Sequence, residues 1–175
     1  LLHQGKPIAA AQINLSNNTL SLGWTGVADN EGDQDLRGAA DALDYFCMKY
    51  AFDQNCESID MGHSRPVLSD GILRYKKKWG ADVNTGVVPQ GSMVFEFNKL
   101  TPACRQFFEN NPLLSKTAGG LSAHFLLPST WERENDLSAF LDDFLVKGLN
   151  QLRIYSNNEP VLPQELLQTH RIKWL

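Results

Sequence analysis

Paired cysteine motifs are missing from this sequence. Its 175 residues contain three cysteines, Cys47, Cys56 and Cys104, and none of them stands in CxxC spacing. An odd number of separated thiols argues against a disulfide framework and against a zinc site. We therefore expect a reducing compartment, the cytoplasm, and no bound metal.

Long apolar runs and a secretory signal are also missing. No stretch approaches the roughly 20 apolar residues that a membrane helix needs, and no basic start precedes an apolar segment. The formal net charge of -4 gives no overall attraction to nucleic acid or to an anionic membrane. We expect a soluble protein without a membrane span. Because the chain begins with Leu1 rather than Met, we also expect it to be a fragment or a processed product.

The first half of the chain alternates between strand and helix periods. Apolar and polar residues alternate over 7–15 and 20–26 around an Asn-rich turn, which predicts an antiparallel hairpin with Trp24 on the same face as Leu20 and Leu22. Spacings of three and four predict a helix over 34–52 that buries Phe46, Cys47 and Tyr50. The remaining predicted elements are a strand at 57–61, a helix at 69–79 capped by Ser69-Asp70, and strands at 83–88 and 92–98.

The second half repeats the alternation more loosely. It predicts a helix over 101–110, strands at 121–127 and 151–155 with a helix between them that carries Leu137 to Leu145, and an irregular tail from Asn157. The fold class is therefore α/β with a mixed sheet. Residues 101–116 are the expected seam between a first part, 1–100, and a second part, 101–175, which either stands alone or completes the same domain.

Five short motifs in the first half suggest a family by their order and spacing. The sequence is similar to the acyltransferase domain of GNAT-fold polysaccharide-linked acetyltransferases and Fem-type aminoacyltransferases over about residues 5–98. The motifs are Pro7-Ile8-Ala9-Ala10-Ala11, Trp24-Thr25-Gly26, Met48-Lys49-Tyr50-Ala51, Ile59-Asp60-Met61-Gly62 and Leu73-Arg74-Tyr75-Lys76-Lys77-Lys78-Trp79-Gly80. The resemblance implies a GNAT-like fold whose central strands splay or meet near Gly62.

The resemblance also implies an acyl-coenzyme A donor, such as acetyl-coenzyme A, bound at the start of the first helix. The corresponding residues are Arg37 and Gly38. A glycine-rich turn normally points backbone N–H groups at the pyrophosphate there, but this sequence has Arg37 in place of its first glycine. Glu31, Asp33 and Asp35 add negative charge, so we expect weak coenzyme A binding or none.

One segment is basic within an acidic protein. Residues 65–78 hold five basic side chains against Asp70 alone. Arg65, Tyr75 and Lys76 are candidate residues for binding an anionic substrate, with Lys76 at the edge of the buried helix face beside Trp79. The alternative is a solvated basic helix face, which we expect for Lys77 and Lys78.

Candidate catalytic residues are few. His63 follows the strand at 57–61 and could remove a proton from an amine, and Asp60 could orient His63, accept that proton or cap the Arg65 loop. Trp24 either lines an acyl or sugar pocket or is a core tryptophan. His124, inside an apolar strand, is expected to be a hydrogen-bonded core histidine. No elbow-type motif surrounds a Ser or Cys nucleophile.

Three functions remain open from the sequence. The first is acyl transfer from a thioester to an amine or hydroxyl of a small molecule or cell-envelope precursor. The second is Fem-like transfer from an aminoacyl-tRNA, which only the basic segment supports electrostatically. The third is a degenerate, non-catalytic domain that binds an anionic ligand.

Overall fold

The computed structural model describes residues 1–28, 38–84, 101–117, 119–128, 137–155 and 171–174. It shows a mixed α/β protein with mixed sheets, as the sequence predicts. The chain forms two compact units, Leu1–His63 and Ser64–Leu175. The division thus falls at His63, whereas the sequence places its seam at residues 101–116.

A β-hairpin is the centre of the N-terminal unit. Strands β3 (Ala9–Ser16) and β4 (Thr19–Val27) pair antiparallel, after a short pair of two-residue strands, β1 (Leu2–His3) and β2 (Lys6–Pro7). Asn17 and Asn18 have φ angles of 49° and 58°. Two successive left-handed residues match the right-handed twist of the strands, and asparagine tolerates this conformation better than most residues. The predicted hairpin is confirmed.

Helix α1 (Ala39–Asp53) leads from the hairpin to β5 (Ser58–Asp60), which pairs parallel to β4. The strand order is β3-β4-β5. The predicted strand at 57–61 is therefore confirmed in the sheet that contains 7–15. The predicted helix over 34–52 is confirmed from Ala39 onward, and positions 34–37 lie outside the described residues.

The buried face of α1 consists of Ala39, Leu43, Asp44, Cys47 and Ala51. Ala39, Leu43, Cys47 and Ala51 recur every four residues and face the sheet. This spacing confirms the prediction that Cys47 belongs to the core. The prediction that the same face buries Phe46 and Tyr50 is wrong, because these rings are 51% and 41% exposed.

The C-terminal unit contains a four-stranded sheet in the order β6-β7-β8-β9. The first pair is antiparallel and the other two pairs are parallel. Its elements are α3 (Pro102–Asn110), β6 (Leu113–Thr117), β7 (Gly120–Leu126), α4 (Leu137–Asp142), β8 (Gln151–Tyr155) and β9 (Arg171–Trp174). The predicted helix at 101–110 and the parallel strand–helix–strand unit are confirmed, except that α4 ends at Asp142 and does not include Phe144 and Leu145. Strand β6 is additional, and β9 corrects the prediction of an irregular tail. Of the predicted strands at 83–88 and 92–98, Val83 and Asn84 are not in a strand and the other residues lie outside the described ones.

Helix α2 (Gly71–Lys78) belongs to the core of this unit. The carboxylate of Asp70 accepts hydrogen bonds from the amides of Ile72 and Leu73, so the predicted N-cap is confirmed. Leu73 of the helix and Leu68 before it are buried with Phe125 of β7. Burial of one such leucine contributes on the order of 2 kcal/mol, which favours docking of α2 onto this core.

The same core covers one face of β7 and β8. It buries Ala123 and Phe125 of β7, Leu152 and Ile154 of β8, and Leu141 of α4. In the described part of the chain, no helix has both the length and the apolar character that crossing a bilayer requires.

Substitution of Gly148 tests the close contact between Gly148 and Val83 in the C-terminal unit. Gly148 has a φ of 93°, and a Cβ added there would collide with the carbonyl oxygen of Val83. Because the side chain would be strained and would clash with backbone, we expect Gly148→Ala to lower the free energy of unfolding by at least about 2 kcal/mol. Chemical denaturation measures this change.

Gly71 provides the matched control. It lies in α2, and a Cβ added there meets no atom within 4 Å. Gly71→Ala should therefore leave stability unchanged or raise it by up to about 1 kcal/mol. Equal destabilisation by both substitutions would contradict the contact between Gly148 and Val83.

Candidate functional site

The candidate residues divide between the two units. The N-terminal unit contains Trp24, Gly38, Asp60 and His63, and the C-terminal unit contains Arg65, Tyr75 and Lys76. Arg37 lies outside the described residues. The N-terminal group occupies the end of β5, the adjoining part of β4 and the start of α1.

Asp60 ends β5 and orders the turn that follows. Its Oδ1 accepts a hydrogen bond of 2.8 Å from the amide of Gly62, whose φ is 73°. The exposed Asp60 carboxylate therefore orients its own turn, and His63 is an exposed side chain immediately after that turn.

Strand β4 is longer than its parallel partner β5 and extends past the end of their ladder. Parallel pairing covers only Thr19 to Ser21 of β4, opposite Ser58 to Asp60. β4 then continues to Val27, whereas the segment that follows β5 turns at Gly62. The stretch of β4 after Ser21 is therefore outside the parallel ladder, although Gly62 still lies beside the Leu22 carbonyl.

A β-bulge in β4 lies in the same stretch. Ala11 pairs with Thr25 and Ile13 pairs with Leu22, so Gly23 and Trp24 together oppose the single residue Gln12. The extra residue interrupts the alternation of β4 between Leu22 and Thr25, and the Trp24 side chain is 84% exposed. The interpretation of Trp24 as a core tryptophan is wrong, because the bulge takes it off the inward face.

The start of α1 has an unusual cap. Gly38 has a φ of 86° and provides no side-chain cap, and Asp41 is the acidic residue of the first turn. Backbone N–H groups at a helix start attract anions, whereas a carboxylate in the first turn offsets that attraction.

The candidate residues of the C-terminal unit surround the end of α2. Tyr75 and Trp79 pack edge to face with ring centroids 6.5 Å apart. Lys76, between them in sequence, is half-buried, and Arg65 is exposed. The indole Nε1 of Trp79 and the hydroxyl of Ser64 are buried without a hydrogen-bond partner among the described residues. The predicted position of Lys76 at the edge of the buried face is confirmed.

Lys77 has a structural role. Its Nζ donates to the backbone carbonyls of Asp142 and Asp143 at 2.6 and 3.2 Å, where α4 ends. A cation at a helix C-terminus satisfies carbonyls that have no intrahelical partner. The prediction that Lys77 lies on a solvated face is therefore wrong, whereas Lys78 is exposed as predicted.

His124 of β7 is hydrogen-bonded through both ring nitrogens. Its Nε2 lies 2.7 Å from Ser115 Oγ and its Nδ1 lies 3.0 Å from Tyr155 Oη. Burial, followed by the nearby Arg153 guanidinium, lowers the pKa of His124. The prediction that His124 is hydrogen-bonded is confirmed, but its side chain is only half-buried and stands opposite the core residues Ala123 and Phe125.

The thiols and possible metal ligands add no further site to the described residues. Burial, followed by Asp44, raises the pKa of the Cys47 thiol, which keeps it protonated at neutral pH. Within those residues, no three His, Cys, Asp or Glu side chains group as metal ligands. No protein-family model, curated protein or solved structure matches the chain.

The lowered pKa of His124 predicts a loss of stability in acid. The unfolded chain binds a proton near the ordinary histidine pKa of about 6.5, whereas the folded chain binds it only at lower pH. The stability that neutral His124 contributes is complete above about pH 6.5 and decreases as the pH falls toward the folded-state pKa. The slope from this one group is at most about 1.4 kcal/mol per pH unit.

Denaturant unfolding between pH 8 and pH 4.5 measures this dependence. His124→Gln removes the titrating group and keeps polar atoms for Ser115 and Tyr155. We expect the variant to lose less stability than the wild type over that interval. Parallel curves for the two proteins would show that His124 does not carry the effect.

Proposed function

We propose that the N-terminal unit transfers an acyl group from a thioester donor to an amine or hydroxyl acceptor. The observation that carries the proposal is the end of the β4–β5 ladder beside a bulge. Asp60 is the last residue of β5 and His63 follows it, at the point where this ladder ends. Ligands of α/β folds commonly bind at such strand ends.

The chemistry needs three things from the protein. A thioester carbonyl must be polarised, the donor and acceptor must be held together, and a proton must leave the acceptor amine or hydroxyl. A strand edge that has left its ladder offers backbone N–H groups to a carbonyl oxygen. In this proposal the stretch of β4 after Ser21 polarises the carbonyl in that way.

His63 is the proposed base. A neutral imidazole accepts the acceptor's proton near pH 7, and His63 is an exposed residue at the strand end. Asp60 holds the preceding turn through the Gly62 amide, which positions His63 through the backbone. Asp60 is thus a positioning residue in this proposal.

Trp24 gives the proposed site an apolar surface. An 84% exposed indole on a bulged strand has no packing role that explains its size. Next to the open edge of β4, it would bind the acyl chain or a sugar ring of the acceptor. An acyl-coenzyme A donor would place its phosphates near Gly38, and we expect weak affinity because Asp41 and the acidic residues before the helix oppose it.

The other two functions gain less support. Lys77 contacts α4 and is unavailable to a phosphate backbone, which reduces the basic surface for an aminoacyl-tRNA donor. A non-catalytic binding domain would keep its ligand but release no product. The binding domain is therefore one outcome of the experiments that follow.

Donor binding is tested by thermal shift with acetyl-coenzyme A and free coenzyme A, combined with release of the free thiol in the presence of a panel of amines. We expect stabilisation of about 1.4 kcal/mol at a ligand concentration near ten times Kd, together with thiol release. Trp24→Ala should reduce thiol release at least tenfold and change stability by less than about 0.5 kcal/mol, because the ring is exposed.

Phe52→Ala is the control, since Phe52 is 81% exposed in the same unit and lies at the end of α1. It should leave thiol release unchanged. Stabilisation without thiol release would support a binding domain instead. No response to either thioester or free coenzyme A would refute transfer from coenzyme A.

The lysines of α2 offer a test of anionic-ligand binding. Lys76 is half-buried and Lys78 is exposed two residues later, so their alanine variants remove equal charge from different surroundings. If Lys76 binds a carboxylate or phosphate, Lys76→Ala weakens binding of inorganic phosphate or an anionic acceptor at least tenfold, whereas Lys78→Ala changes it less than twofold. Calorimetric titration measures both, and equal effects would show a general loss of charge.

A further inference from the structure

Three side chains form a hydrogen-bonded chain on the C-terminal sheet, and none of them is among the residues assigned above. Ser115 of β6, His124 of β7 and Tyr155 of β8 come from three neighbouring strands. Ser115 Oγ lies 2.7 Å from His124 Nε2, and His124 Nδ1 lies 3.0 Å from Tyr155 Oη. All three are half-buried, so they are partly shielded but still open to solvent.

The strand register explains how they meet. Ser115 pairs with Ser122, and Tyr155 pairs with Leu126, which are the residues two positions before and after His124. Because side chains alternate between faces, all of these residues share one face of the sheet. The opposite face holds the apolar core, which makes the histidine face the polar side of the sheet.

The Tyr155 ring restricts the imidazole as well as hydrogen-bonding it. The two rings are nearly parallel, with an interplanar angle of 17° and centroids 6.0 Å apart. When Nδ1–H donates to Tyr155 Oη, the lone pair of Nε2 accepts the hydrogen bond from Ser115 Oγ–H. A nucleophile, a base and a group that orients the base then lie in sequence within hydrogen-bond distance.

The neutral state of His124 suits this role. A histidine acts as a base only when it is unprotonated, and burial together with Arg153 lowers its pKa. Arg153 itself donates to Gln151 Oε1 at 3.3 Å, an oxygen that also accepts a bond from Ser122. Ser122 therefore has an amide oxygen as its partner, whereas Ser115 has an imidazole.

From this geometry we infer that Ser115 is a nucleophile, activated by His124 and supported by Tyr155, that accepts acyl groups from activated esters. Ser115 Oγ forms a bond to the ester carbonyl carbon while its proton moves to His124 Nε2. The ester C–O bond then breaks, and the leaving alkoxide takes the proton from Nε2. Water repeats the sequence on the acyl-serine and releases the carboxylic acid, so the net reaction is ester hydrolysis. This site is independent of the function proposed for the N-terminal unit.

A fluorophosphonate probe, which phosphonylates activated serines, tests the assignment. The full chain is incubated with the probe, and peptide mass spectrometry locates the adduct. We expect one adduct on Ser115 in the wild type and none at that position in Ser115→Ala. His124→Gln should slow labelling at least a hundredfold, and Tyr155→Phe, which keeps the ring but loses Oη, about tenfold or more.

Ser122→Ala is the matched control, because it removes a hydroxyl on the same face that donates to the side-chain oxygen of Gln151. In this variant the probe should label Ser115 at the wild-type rate. The Trp24→Ala variant should also be labelled at that rate, which separates this inference from the proposed transferase. Thermal melts identify any variant that fails to fold. The wild-type result decides the matter on its own: absence of an adduct on Ser115, or unchanged labelling in a folded His124→Gln protein, overturns the inference.

Discussion

The register between β3 and β4 determines what the N-terminal unit exposes. A regular antiparallel pair would keep every second residue of β4 against α1. The extra residue at Gly23 and Trp24 interrupts the alternation by one position, and β4 is exposed from Gly23 to Val27. The same shift turns an indole outward where β5 has stopped pairing, so one backbone irregularity places a large apolar ring beside an open strand edge.

Sequence periodicity locates most elements but cannot detect this shift. A bulge adds one residue without changing the local alternation of apolar and polar side chains, so Leu20, Leu22 and Trp24 form an unbroken inward pattern in the sequence.

Helix α1 illustrates a related difficulty. Its apolar residues cover more of the helix surface than the face it buries, so Phe46 and Tyr50 are exposed although they continue the apolar spacing. Strands β6 and β9 were not predicted because each is short and lacks sustained alternation.

In the candidate site, features that depend on nearby residues are predictable from the sequence, whereas contacts with residues far along the chain are not. The N-cap at Asp70 and the half-burial of Lys76 follow from residues within one or two turns, and the sequence predicts them. The role of Lys77 depends on Asp142 and Asp143, some 65 residues away along the chain. The assignment of α2 to the C-terminal core likewise depends on Phe125, and no pattern near α2 specifies that partner.

The two faces of the C-terminal sheet have opposite requirements. One face is apolar because α2 and α4 cover it, and the other can hold serine, histidine and tyrosine because its polar atoms bond to one another. An imidazole in partly buried surroundings is tolerated when both nitrogens have partners and the ring stays neutral. The alternation of Ser122, His124 and Leu126 against Ala123 and Phe125 contained this information, since it assigns His124 to the face opposite the core. The neighbours that give His124 a chemical role come from β6 and β8, so only the assembled sheet reveals them.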